Sequence, residues 1–159
     1  MLSELFGLAD RFMLGIGKRF SARITMQGRL VVIVRGPDGR IKESFITNTV
    51  TTAGKAGAAD QILASPTLGK PTHMAIGTGT PGATALGSEL DRNILTSKVR
   101  GTNVVTMVGD WAAGDGTGTL TEAGLFDAAG AGNMWTSATF AVTKGASDTL
   151  SITWTLTFS

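Results

Sequence analysis

The chain has one histidine, no cysteine and no tyrosine, so acid–base and nucleophilic chemistry have few side chains to use. His73 sits beside Met74 at the start of an apolar run, and no G-x-S-x-G elbow is present to supply a serine nucleophile. It is expected to be a structural histidine. Two acid pairs, Asp110 with Asp115 and Glu122 with Asp127, have the composition of a glycosidase pair, but their positions next to turns suit solvated loop ends. Asp110, Asp115 and the carbonyls of Gly114 and Gly116 offer the oxygens that hard cations prefer, yet the D-x-[DN]-x-[DN]-G register of a calcium loop is missing. The run from Gly77 to Gly82 follows a short strand-like stretch, as a phosphate cradle would. It has neither G-x-x-x-x-G-K-[ST] nor a long helix after it, so a plain turn is expected. The expectation is of no catalytic residue, no metal site and no cofactor.

Glu122 is the charge that fits its surroundings least, because it interrupts the apolar stretch TEAGLF. Either it faces water, or it is buried with a partner such as Arg92 or Arg100 and helps to specify the fold. Trp111, Trp135 and Trp154 are expected as core or interface anchors. A rival role puts Trp111 and the loop 110–118 against a sugar.

The elements that must hold these residues are mostly strands. From Leu150 to Phe158 large apolar residues alternate with Ser and Thr without a break, which predicts a strand with one buried face and one hydroxyl-rich face. That second face is either wet or set against another subunit. RLVVIVR and RIKESFIT, joined by Gly36-Pro37-Asp38-Gly39, predict a hairpin whose first strand is covered on both faces. Further strands are expected at Thr72–Ile76, across Ile94–Gly109 as one strand or two broken at Gly101, and at Leu120–Phe126 and Met134–Val142. Short helical pieces are expected at Lys55–Ala64 and, with Ser88 as cap, at Leu86–Asn93. At the front, Leu2, Leu5, Phe6, Phe12, Met13 and Ile16 recur at helical spacing, with Ser3 placed to cap. Gly7, Gly15 and Gly17 each cost such a helix roughly 1 kcal/mol against alanine, so it needs a surface to lie on. That surface is either its own β-body or a partner subunit.

These patterns predict a mainly β fold, an antiparallel β-sandwich of jelly-roll-like form with an N-terminal amphipathic helix and one or two short helices. Residues 1–20 are the expected docking segment and 21–159 a single β-domain. Residues 1–55 hold nine Lys or Arg against four acids and residues 56–159 five against eight, so the front is basic and the body mildly acidic. No dense basic cluster is interleaved with aromatics, and nucleic acid is not an expected partner. No apolar run approaches the roughly 20 residues that span a bilayer, and neither a membrane partner nor secretion is expected. The absence of cysteine fits a reducing compartment.

Taken in order, Asn48-Thr49-Val50-Thr51-Thr52-Ala53-Gly54-Lys55, Thr72 to Gly79 (THMAIGTG), Thr121 to Phe126 (TEAGLF), Lys144 to Leu150 (KGASDTL) and the closing alternating strand resemble a group of small tailed-bacteriophage virion proteins. The likeness covers about residues 29 to 159. It implies a structural protein of the particle, assembled in the host cytoplasm, with no catalytic residue to carry over. Its expected partners are its own copies and a larger virion protein such as a capsid, portal or tail protein. Capsid decoration and a neck or collar position are both open. The rival function is a receptor- or glycan-binding module of a tail fibre or baseplate. An enzyme cleaving cell-wall glycan is a third and weaker alternative.

Overall fold

A computed structural model of the chain describes residues 24–159. The expected N-terminal helix, with Leu2, Leu5, Phe6, Phe12, Met13 and Ile16, lies outside the described residues. Among those described, the chain is mainly β, with ten strands in two antiparallel sheets and one α-helix.

The Gly36–Gly39 turn forms as its residues dictate. Gly39 adopts φ 79°, Asp38 accepts the Arg40 amide through Oδ1 at 3.0 Å, and Gly36 N–H reaches Arg40 O at 2.8 Å. Strand β1 (Met26–Arg35) is thereby paired with β2 (Ile41–Thr47). The closing alternation is strand β10 (Thr149–Phe158), which pairs with β1 on one side and with β7 (Val104–Trp111) on the other. With β6 (Ser97–Arg100) at the far edge, the first sheet runs β2-β1-β10-β7-β6. β10 is its middle strand, with the one buried face that the alternation predicts.

The second sheet is built from β3 (Thr49–Val50), β4 (His73–Gly77), β5 (Glu89–Ile94), β8 (Gly118–Phe126) and β9 (Met134–Lys144), in the order β3-β9-β8-β4-β5. One core joins the two sheets. Leu30, Val32, Met107, Ile152 and Trp154 come from the first, Met74, Ile76, Leu120, Leu125 and Trp135 from the second.

Several expectations are corrected. β1 is buried on one face only: Leu30, Val32 and Val34 are in the core, while Val31 and Ile33 on the other face are half-buried. The apolar run is longer than the burial it receives. Leu86–Asn93 holds no helical turn, because Ser88 is pinned beside β4 through its carbonyl, which accepts Thr78 N–H at 2.9 Å, and the chain continues directly into β5. The stretch Ile94–Gly109 breaks at Gly101, and it also leaves one sheet for the other between β5 and β6. Trp111 lies at the end of β7 and not in a loop.

Helix α1 (Thr52–Asp60) starts earlier than the composition suggests, because Thr51 caps it through the Gly54 amide at 2.9 Å. It ends where Asp60 turns its carboxylate to the amides of Thr67 and Leu68, at 2.7 and 2.8 Å. Gly54 and Gly57 let α1 press on β9. A Cβ at Gly54 would lie 2.0 Å from the Trp135 carbonyl oxygen, and one at Gly57 would lie 2.4 Å from the indole. Alanine normally improves a helix by about 1 kcal/mol over glycine. Here overpacking against backbone outweighs that gain, and Gly54→Ala is expected to lose about 2 kcal/mol in urea denaturation. A neutral or stabilised variant would mean that α1 lifts freely from β9.

Candidate functional site

Glu122 is fully buried in β8. Ala123 and Leu125 point into the core, so their neighbours Glu122, Gly124 and Phe126 point to the outer face of the second sheet. The loop between β4 and β5 folds over that face. Leu86 from this loop packs with Ala75, Phe126 and Met134. Glu122 fastens it: Oε1 accepts the amides of Gly79 at 3.0 Å and Ser88 at 2.7 Å, and Oε2 accepts that of Gly87 at 2.8 Å. Thr121 adds a bond from its hydroxyl to Gly79 O at 2.6 Å.

Glycine makes this closure possible. A Cβ at Gly77 would sit 2.5 Å from Glu122 Oε1, and one at Gly87 would sit 2.3 Å from the Thr80 carbonyl oxygen. The run that begins at Gly77 is thus an anion cradle in form, built of backbone N–H groups. The anion it holds is the chain's own carboxylate. Neither Arg92 nor Arg100 is its partner. Arg92 instead binds Glu89 through Nε and Nη2 at 2.8 and 2.6 Å, reaches Ala128 O and Ala131 O, and stacks 3.7 Å above the Phe126 ring. Arg100 is exposed on β6.

The other sequence candidates are dispersed. His73 bonds through Nδ1 with its neighbour Thr72 at 2.8 Å. Asp127 closes its own turn by accepting both the backbone and the side-chain amide of Asn133, at 2.7 and 2.8 Å, so it does not act with Glu122 as a pair. Asp110 and Asp115 do share a place: with Arg35 and Asn93 they line an open cleft of about 610 Å³ beside the end of β7. Asp110 there accepts the Thr96 hydroxyl, and its backbone carbonyl accepts Asn93 Nδ2 at 2.9 Å. The Gly114 carbonyl, one of the oxygens considered for a cation, accepts the Thr117 hydroxyl. Among the described residues no group of three His, Cys, Asp or Glu is placed to hold a metal ion.

All three tryptophans belong to the core, with exposures of 1% for Trp111, 5% for Trp135 and 0% for Trp154. Trp111 therefore has no free face for stacking on a sugar. Lys144 was not singled out by its sequence context, yet it is fully buried at the end of β9 and donates from Nζ to Ala112 O at 2.9 Å. The spacing of Gly77, Gly79 and Gly87 around a buried acid is a signal that sequence could offer; a lysine ending a strand offers none. No helix among the described residues is long and apolar enough to cross a membrane. No family model, no curated protein and no solved structure matches the chain.

Proposed function

We propose that this chain is a non-enzymatic structural subunit of a tailed-phage virion, which associates with its own copies and docks onto a larger particle protein. Its two sheets are then the layers of a jelly-roll-like β-sandwich, and its place is the capsid surface or the neck. The observation that carries this reading is where the virion-like stretches fall. Asn48–Lys55 forms β3 and the capped start of α1, Thr72–Gly79 forms β4 and one side of the cradle, Thr121–Phe126 supplies Glu122 and Phe126, and Lys144–Leu150 turns the chain into β10. What these stretches hold in common is framework. Asn48, Thr51, Thr121, Glu122, Lys144 and Asp148 in these stretches spend their side chains on bonds within the chain, which suits a protein whose task is to keep a shape.

The outer face of the first sheet adds support. Ser151, Thr153, Thr155 and Thr157 of β10 are half-buried there, flanked by Val31 and Ile33 of β1 and by Val104, Thr106 and Val108 of β7. Such a mixed surface of β-branched side chains and hydroxyls tolerates both water and a neighbouring subunit.

Mass photometry of the full chain, alone and mixed with the capsid and portal proteins of a phage that encodes it, tests the reading. Species heavier than the monomer are expected alone, and a joint species with one of the two. Joining to capsid gives a decoration subunit; joining to portal gives a neck component. A monomer that joins neither overturns the assembly reading.

A further inference from the structure

At the flank where α1, β7 and β10 come together, the described residues cover the core only in part. Ala58, Val105, Met107, Trp135, Leu156 and Phe158 line an apolar groove of about 240 Å³, edged by Lys70 and Lys98. Val105 and Met107 lie on the core-facing side of β7; Met107, Trp135 and Leu156 are buried and Ala58, Val105 and Phe158 half-buried, so the described residues cover this edge of the core only in part. Just past the groove-lining Gln61 in sequence, Ile62 and Leu63 are 81% and 59% exposed. The groove is smaller than the roughly 300–1,000 Å³ usual for a small-molecule pocket. It is of a size to take apolar side chains from a peptide segment.

We infer that the groove is the seat of residues 1–20 of the same chain, with the apolar stripe Leu2, Leu5, Phe6, Phe12, Met13 and Ile16 turned into it. The place where the described chain begins is the first reason. Thr25 is bonded to Ser159 in both directions, at 2.6 and 3.0 Å, and the next residue, Met26, pairs with Phe158, which lines the groove. The described chain therefore begins beside the groove. From Ile16 to Ile24 the chain can extend roughly 25 Å, ample to reach a groove beside its own point of entry.

The second reason is pattern. The stripe is the face that cannot stand in water by a marginal helix alone, and the groove is a face of matching character. Glu4 and Asp10 flank the stripe, and lysines edge the groove. The segment of the same chain is favoured over that of a second copy because a short tether gives it an effective concentration in the millimolar range. The inference does not depend on the virion reading; it gives residues 1–20 a seat in the free subunit.

The chain has no cysteine, which makes disulfide trapping in the full-length protein clean. Ala58→Cys is combined in turn with Phe12→Cys, Ile16→Cys and, on the polar side of the pattern, Arg11→Cys, and each pair is oxidised at micromolar protein. Gln61→Cys replaces Ala58→Cys as the groove partner should the latter fold poorly. The expected result is an intramolecular link, for at least one stripe position, formed at least tenfold faster than for Arg11→Cys. Equal rates for stripe and polar positions overturn the inference. Links found only between copies overturn it too, and place the segment on a second subunit.

Discussion

Glu122→Ala is expected to cost about 3 kcal/mol, although no charged group among the described residues bonds to this side chain. Three backbone amides point at its carboxylate, and a hydrogen bond to a charged group contributes roughly 1.5–3 kcal/mol where a neutral one contributes about 1. Part of that sum is offset in the wild type by the cost of burying the carboxylate. The remainder holds the loop between β4 and β5 on the second sheet and keeps Leu86 against Phe126 and Met134. Glu122→Gln separates charge from shape. Its amide oxygen can still accept two of the amides, but its NH2 then meets the third, donor against donor. A loss of about 2 kcal/mol is expected, with faster hydrogen exchange at Gly79, Gly87 and Ser88 than at the amides of β10. Urea denaturation of the three proteins measures it. A Glu122→Gln variant within about 0.5 kcal/mol of the parent would show that the cradle is not what fastens the loop.

The contrast between Glu122 and β10 explains what was legible in advance. The alternation from Leu150 to Phe158 names its own buried face, and Asp38-Gly39 names its own reversal, because strand period and left-handed backbone are local properties. The mainly β class, the hairpin and most strands follow from such signals. Glu122 is visible as an acid out of place, and the readings open to sequence are water or a partner such as Arg92 or Arg100. Its partners are backbone amides 34 to 43 residues away, and a backbone N–H carries no mark in the sequence. The helical turn expected at Leu86–Asn93 gives way to β5 for a similar reason: Ser88 has the side chain of a cap, while long-range bonds to Thr78 and Glu122 decide its conformation. The open cleft by Asp110 and Asp115 depends on how β7 ends against β10. Sequence pairs the two acids, but Arg35 and Asn93, which share their cleft, come from distant strands and carry no local mark.

Trp154→Ala is expected to be the most damaging single change in the described chain, at about 3–5 kcal/mol. Trp154 has no exposed surface, and its position on β10 sets it opposite Leu30 of β1 and Met107 of β7, so a cavity there opens at the middle of the first sheet. Its indole Nε1 has no hydrogen-bond partner among the described residues, which means that the ring is held by packing. Trp154→Phe should therefore lose chiefly the volume difference, about 1–2 kcal/mol, and not an added polar penalty. Thr155→Ala supplies the control one residue along. Its side chain lies on the opposite face, half-buried beside Thr106 and Arg29, and a change within about 0.5 kcal/mol is expected. Urea denaturation of the monomeric state, at the same protein concentration for all three variants, checks the order Trp154→Ala, Trp154→Phe, Thr155→Ala. A Thr155→Ala loss as large as that of Trp154→Phe would mean that both faces of β10 are core, and the first sheet would then have no outer face to offer a neighbouring subunit.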